Sequence, residues 1–507
     1  MTPPPLDPPR SLRASLVHLG PGIVLASAIV GSGELIAATT VGAEAGFLLL
    51  WLIILGCAIK VAAQIEIGRT TLAWARTPLE SFDAVPGPRL LGRGWITWAW
   101  AFMTMLIVVQ QGGILAGVAQ TLAGGVPVTA AGREWNRVHD EAAATRIAEA
   151  TARRGGDRST AAALHDRLDG LETTMQTLTA PADEAFWSVV IGISTALLLA
   201  VGRYAVIERV AIVLVGLFVA MTLVAIVLLQ LDPAWAISGR ELTSGLVPSI
   251  PPVIEGRSPL TTGLATFGII GVGAAELMFY PYWCLEKGYG RFVGPRDDSP
   301  AWAERARGWM RVLRLDAWAS MIVYTTVTLA FYLLGAATLG RLGLKPGGGE
   351  MVRTLGAMYA PVFGPWAATL FLGGAFAVLY STLFAAADGN SRIVADALVL
   401  AGRIPGDAVS RKTWTRRIAV AWPLVALGLA LVIREPVAMV LASGLAQAVM
   451  LAALGIAVLW FRYGQVDRRL LPTRAADVLL WVSCLGFIAI GAWTIWHKLA
   501  GLVAGSP

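Results

Sequence analysis

The chain has 507 residues, of which 56% are hydrophobic and 14% charged, with a formal net charge of +7. Soluble domains carry about 25% charged residues, so this composition excludes an ordinary water-soluble protein and describes a membrane protein. The basic excess lies in short loops between apolar stretches, which gives no reason to invoke nucleic acid.

In chain order, residues 1–20 form an N-terminal segment opening on Met1 and a proline run. It has no cleavable signal pattern, so the first span is expected to remain in the mature protein. Eleven apolar stretches follow, at 21–42, 46–68, 95–124, 185–202, 205–230, 262–286, 314–340, 363–388, 416–433, 436–461 and 476–497. Each is long enough to cross about 30 Å of hydrocarbon as a helix. They divide the chain into spans 1–3 (21–125), spans 4–5 (185–230), spans 6–10 (262–462) and span 11 (476–497). Tryptophans gather near segment ends, as at Trp95, Trp98, Trp187, Trp302, Trp366 and Trp496, which suits the membrane interface.

Residues 126–184 are rich in Ala, Arg, Asp and Glu and read as a polar helical insert that Gly155-Gly156 breaks into a hairpin. Leu164, Leu168, Leu171, Met175 and Leu178 recur at three- and four-residue steps and give it one apolar seam. Loops 231–261 and 341–360, punctuated by Pro and Gly, are expected to form short helices or turns. Basic residues crowd the loops after spans two, six, eight and ten, for example Arg76, Arg296, Arg411 and Arg469. The intervening loops are poorer. The positive-inside rule then places the N-terminus in the cytoplasm, and the insert and C-terminus outside, in a multi-pass cell-membrane protein.

Two of the apolar segments contain a glutamate in near-identical settings: Gly31-Ser32-Gly33-Glu34-Leu35 in span one and Gly273-Ala274-Ala275-Glu276-Leu277 in span six. A carboxylate in hydrocarbon costs at least a few kcal/mol and marks a functional site by default. Glycines beside it weaken the helix and free backbone groups. Matching weak points in spans one and six are what an inverted five-helix repeat with a midplane site predicts. Helix breaks are therefore expected at Gly31, Ser32, Gly33, Gly273 and Pro281.

Cys57, Cys284 and Cys484 lie in or beside apolar segments and read as small core residues. His18 and His497 lie near segment ends, and His139 and His165 in the insert, so no metal site rests on histidine. There is no Walker loop, no Cys-x-x-Cys and no His-Glu-x-x-His, so an enzyme is not expected.

From Gly20-Pro21-Gly22 to Arg69 the chain resembles the first two helices of the NRAMP family of divalent-metal transporters. The stretch Gly42-Ala43-Glu44-Ala45-Gly46-Phe47-Leu48-Leu49-Leu50-Trp51 corresponds to that family's Gly-Ala-Gln-x-Gly-Tyr-x-Leu-Leu-Trp, and Gln64 and Arg69 also match. The resemblance implies the LeuT-type fold, all-α, with helices 1–5 and 6–10 as inverted repeats and helices 1 and 6 broken. The departures fall in the motifs that hold metal. The first-helix Asp-Pro-Gly-Asn reads Gly31-Ser32-Gly33-Glu34 here. The sixth-helix Ala-x-x-Met-Pro-His aligns with Ala275 to Tyr280, which keeps Ala275 and Met278 and replaces His by Tyr280, with Pro281 one place on. The acids of the family's third helix are absent around Gln110 and Gln111.

The expected site therefore combines Gly31, Glu34, Ala275, Glu276, Met278 and Gln447, with Gln110, Gln111, Tyr280 and Lys60 as gating or coupling residues. Two bare carboxylates in a low dielectric repel, so one must hold a proton or both must share a cation. Oxygen donors favour Mg²⁺, Mn²⁺ or Ca²⁺, while Met278 would bias the site to softer ions. Lys60, deep in span two, either pairs with a site carboxylate or snorkels to the interface. Glu66, Glu208, Asp316 and Asp388 are expected to orient helices. The leading reading is a transporter, monomeric in the bilayer, that moves a divalent metal as substrate with weak or no proton coupling and no permanent cofactor. An amino-acid or organic-solute carrier of the same superfamily, with Gly31-Ser32-Gly33 holding a substrate carboxylate, stays open. So does a transport-inactive receptor or scaffold.

Overall fold

Hydrocarbon offers no partner for a free N–H or C=O, so spanning segments of this kind must close their hydrogen bonds internally as helices. In the computed structural model, which describes residues 5–19, 21, 30–74, 76–202, 205–253 and 258–503, they do. Ten helices among the described residues are long and apolar enough to cross a membrane. They are α2 (Leu50–Trp74), α3 (Trp95–Gly125), α4 (Asp183–Val201), α5 (Ala205–Leu229), α6 (Pro259–Lys287), α7 (Pro300–Gly340), α8 (Ala367–Leu400), α9 (Ala408–Ile433), α10 (Pro436–Gln465) and α11 (Arg474–Ala500). Before them α1 runs as a wide turn over Ser32–Ala38 and then as α-helix over Thr39–Ala45. Residues 22–29 of the first expected span lie outside the described residues, as does Gly20.

Three helices extend well beyond the hydropathy limits. α7 starts at Pro300 instead of 314, with Ser299 accepting from the N–H of Trp302 at 3.1 Å. α8 runs on to Leu400 instead of 388, and α9 starts at Ala408, where Asp407 caps the N–H groups of Val409 and Ser410. Hydropathy measures the thickness of hydrocarbon, whereas these helices end at a capping side chain or a positive-φ glycine such as Gly402 (φ 68°).

The loops sort to two ends of the bundle. At one end Arg296 and Arg469 both reach Asp467, each at 2.9 Å, and Trp74 donates to the carbonyl of Gln465 at 3.0 Å. Tyr282 donates to Asp396 at 2.8 Å, and Thr77 and Arg411 bind the same carboxylate. The Arg469 guanidinium beside Asp467 holds that carboxyl well below the usual range. Stability from this pair is therefore present at neutral pH and lost only as pH falls through the acid range. At the other end stands the insert, helices Ala130–Arg154 and Arg158–Thr177 joined through Gly156 (φ 79°). Leu168 is buried in its seam, and Leu164, Leu171, Met175 and Leu178 are half-buried.

The insert is docked. Asn136 donates to the carbonyls of Ala123 and Gly124 at the end of α3, and Arg353 joins Asp140 at 2.6 Å. A short helix, Gly239–Leu246, shares that end, where Arg341 donates to the carbonyl of Trp235 and to Glu241, both at 2.7 Å.

Candidate functional site

α6 is interrupted. Its first half (α6a) ends at Ile269, and its second (α6b) starts at Ala274. The break needs Gly271, whose φ of 59° is one that side chains disfavour. Pro281 lies inside α6b, so the break falls before it. α1 starts at Ser32 with Gly31 before it, so Ser32 and Gly33, expected in a break, lie inside its first turn, and at Gly31 a Cβ would overlap Thr382 Oγ1 of α8. No side chain fits there, because the loop and α8 already touch.

Each broken half leaves backbone groups without helical partners, and two buried charged side chains take them up. Lys60 of α2, fully buried, donates to the carbonyls of Phe267 at 2.5 Å and Ile270 at 2.7 Å. A cation at the C-terminal end of α6a is where the helix dipole favours one. Lys60 therefore does not snorkel, because its ammonium finds oxygen partners inside the bundle. Glu34, also fully buried, accepts from the N–H of Gly31 at 3.4 Å and of Gly271 at 3.2 Å, and the Thr328 hydroxyl of α7 lies 3.1 Å from it. One carboxyl group thus ties the start of α1 to the α6 break.

Glu276 has a different environment. Its Oε2 is buried with no hydrogen-bond partner, and so is Oε1 of Gln111 on α3. Both residues line a small cavity together with Ser32, Gln110, Thr382 and Asn390. Its volume is about 20 Å³, room for one water-sized species. A chain of neutral hydrogen bonds frames it. Gln110 donates to Ser32 at 3.2 Å and accepts from Ser443 at 2.8 Å and from Gln447 at 3.1 Å. Gln447 accepts in turn from the N–H of Ala275 at 3.2 Å.

The structure thus brings Ser32, Gly33, Gln110, Gln111, Ala275 and Glu276 to one cavity, with Gln447 bonded to its frame and Gly273 beside it. It separates Glu34, whose oxygens are engaged by the start of α1 and the α6 break. Met278 is fully buried in the core and is not among the cavity residues. Tyr280 donates to Asp316 at 2.8 Å, tying α6b to α7 away from the cavity. Glu66 pairs with Arg69 at 2.9 Å and Asp388 with Arg392 at 2.5 Å, while the side chain of Glu208 lies outside the described residues. Thr382 escaped the sequence reading, whereas Asn390 stands in Gly389-Asn390-Ser391, which resembles a similarly placed Gly-Gln-Ser of the family, without a role assigned to it. With Ala386 they stand at four-residue steps and form one face of α8, a polar-small stripe in an apolar helix that carries the signal. Among the described residues no three His, Cys, Asp or Glu side chains are grouped as a metal cluster. The cavity offers one carboxylate and neutral oxygens.

The family described as natural resistance-associated macrophage protein-like matches residues 159–497. That range contains the α6 break and Glu276 but not the first two helices on which the sequence resemblance rests. A mutant of the Eremococcus coleocola manganese transporter superposes with a TM-score of 0.57 at 14% identity, covering 100% of this chain and 92% of that one. The same transporter in complex with an aromatic bis-isothiourea substituted compound gives a TM-score of 0.53 at 15% identity, over 99% and 91% of the two chains. No curated protein matches the chain by sequence. The family match spans more than half the chain and the fold agrees with it: the chain belongs to the Nramp family, as a membrane transporter and not an enzyme.

Proposed function

We propose that this chain carries a divalent metal cation across the cell membrane by alternating access, with Glu276 and Gln111 as its principal ligands. The observation that carries the reading is the pair of unpartnered buried oxygens, Glu276 Oε2 and Gln111 Oε1, at a cavity that admits one small species. A carboxylate without a donor in low dielectric calls for a cation. Side-chain oxygens of Ser32, Thr382 and Asn390 complete a hard donor set, which suits Mg²⁺ or Mn²⁺. With Met278 in the core, no thioether draws the site toward softer ions. Family membership and the fold shared with a manganese transporter support the same substrate class. Against the organic-solute reading, which rests on Gly31-Ser32-Gly33 holding a substrate carboxylate, stands the bond from the N–H of Gly31 to the chain's own Glu34.

Coupling follows from the composition of α3. Residues 95–125 contain no acidic side chain, so no carboxylate relay leads from Gln110 and Gln111. Protein reconstituted in liposomes should take up Mn²⁺ and Mg²⁺ without acidifying the lumen. Uptake of neither ion would remove the metal reading, and acidification in step with uptake would assign proton movement to Glu276 or Glu34.

For orientation, the end rich in Arg296, Arg411 and Arg469 is assigned to the cytoplasm and the insert to the outside. Single cysteines placed in the insert should then react with an impermeant thiol reagent on intact cells, and cysteines within 291–311 only after permeabilisation. The opposite pattern would reverse the transporter in the membrane.

A further inference from the structure

A second, larger chamber lies beneath the insert, and the ion site makes no use of it. It measures about 480 Å³, within the range of about 300–1,000 Å³ typical of small-molecule sites. Its walls are mostly apolar, with Trp135 and Ile147 from the insert, Val352 from the segment before α8, and Phe371 and Leu372 from α8. At its polar end stand Gln120 of α3 and Glu184 of α4.

The hydrogen-bond inventory of that end is lopsided. Gln120 is 94% buried; its amide nitrogen donates to the carbonyl of Gly348 at 3.0 Å and to Glu184 at 3.4 Å, while its oxygen has no partner. Both of its hydrogens are spent, and an acceptor remains. Nearby charged groups do not supply a donor. Arg353 is engaged by Asp140 at 2.6 Å, Glu350 at 2.7 Å and Asn136 at 3.0 Å. Asp183 already accepts from the N–H groups of Val128 and Thr129 and from the Thr129 hydroxyl. Arg434 contributes its charge to Glu184 from an exposed position, with its Nε on the carbonyl of Leu431 at 3.1 Å, and Glu350 adds a like charge. What is left is a buried acceptor and a carboxylate at the end of an apolar chamber. A metal ion, which asks for about six oxygens, finds too few here. A protonated amine finds two acceptors for its N–H groups, and its hydrocarbon body finds Trp135 and Phe371.

We infer that the chamber under the insert binds an organic ammonium ion, with Glu184 and Gln120 holding the charged nitrogen and the aromatic wall holding the apolar body. The site is separate from the ion cavity: Gln120 stands nine residues along α3 from Gln111, about 13 Å at 1.5 Å per residue. Because its walls come from the insert, α3, the segment before α8 and α8 itself, an occupant fastens the insert to the bundle. The ligand is therefore a modulator of transport and not the cargo.

The test uses the purified full-length protein in detergent with 2-phenylethylammonium as probe and 2-phenylethanol as its uncharged counterpart, read by tryptophan fluorescence and thermal shift. The amine should bind saturably, with the alcohol about tenfold weaker or worse, and Glu184→Gln should cost the amine a comparable factor. Ala143→Phe, which fills the chamber from the insert, should abolish binding of both. Glu276→Gln should leave amine binding unchanged, which separates this site from the ion site. Equal binding of amine and alcohol, loss of amine binding in Glu276→Gln, or no saturable binding up to about 10 mM would each overturn the inference. The comparison of the two probes on the unaltered protein decides the matter even if Glu184→Gln fails to fold.

Discussion

Glu276→Gln should abolish metal-induced stabilisation and transport while leaving the metal-free protein as stable as its parent or more so. The carboxylate oxygen at stake is buried without a hydrogen-bond partner, so in the empty protein it contributes a desolvation penalty that the charge of Lys60 offsets only in part. Gln keeps the shape and one acceptor oxygen but removes the charge. At a metal concentration about 100 times the dissociation constant, the parent should gain about 2.7 kcal/mol, and the variant close to none. Glu34→Gln should behave in the opposite way. Its carboxylate receives N–H groups from the start of α1 and from the α6 break, and an amide can present an oxygen to only one of them. Losing a charged bond at a buried break should cost about 1.5–3 kcal/mol in the metal-free state, with metal dependence retained. Thermal unfolding of both variants with and without Mn²⁺ checks the pair. If Glu276→Gln keeps the full metal response, the assigned site is wrong.

Lys60→Met should be the most destabilising single change in the bundle. Met matches the length of the lysine stem, so the packing is preserved and the charge alone is removed. Two carbonyls at the end of α6a, now bound at 2.5 and 2.7 Å, would be left inside the bundle with no donor. Leaving a buried acceptor unsatisfied costs about 1–3 kcal/mol, here for two carbonyls, and a helix terminus also loses its cation. Lys60 further lies within electrostatic reach of Glu276 and Glu34, so the cost should shrink when Glu276 is neutralised. A double-mutant cycle of Lys60→Met with Glu276→Gln, followed by thermal unfolding, measures that coupling. Stability within about 0.5 kcal/mol of the parent would show that Lys60 is not the clasp of α6a.

The helical architecture was legible in the sequence because bilayer thickness and apolar run length are linked so directly. The Gly-rich passage before Glu276 located the break in α6, while Pro281 lies inside α6b and Ser32 and Gly33 inside the first turn of α1. What the sequence did not reveal is that two glutamates in matching motifs do different work. Local pattern reports that a carboxylate is intramembrane but not which backbone groups lie across from it. Glu34 meets the N–H of Gly271, 237 residues away, and no local window contains that contact. Lys60 misled for the same reason, since its partners are carbonyls of another helix and every residue type supplies a carbonyl. Met278 matched a family position, yet its side chain packs into the core. Thr382 was passed over, and Asn390 was left without a role, because a single hydroxyl or amide in an apolar helix is common, and only their shared face gives them meaning.

The bonds around the start of α1 and the α6 break also differ in strength, and the difference divides the molecule. Lys60 joins α2 to α6a through an ammonium bonded to two carbonyls, worth about 1.5–3 kcal/mol each, and Glu34 adds bonds from α1 to both α6 and α7. The bonds from Ser32 to Gln110 and from Ala275 to Gln447, which link those helices to α3 and α10, are neutral and 3.2 Å long, worth about 0.5–1.5 kcal/mol. A seam between the two sets should open first. Glu276 stands on one side of it and Gln111 on the other, so an ion held by both would rivet the seam shut. The cargo then governs when the carrier can change shape: loaded, the two halves travel locked together, and on release the seam is free to slip.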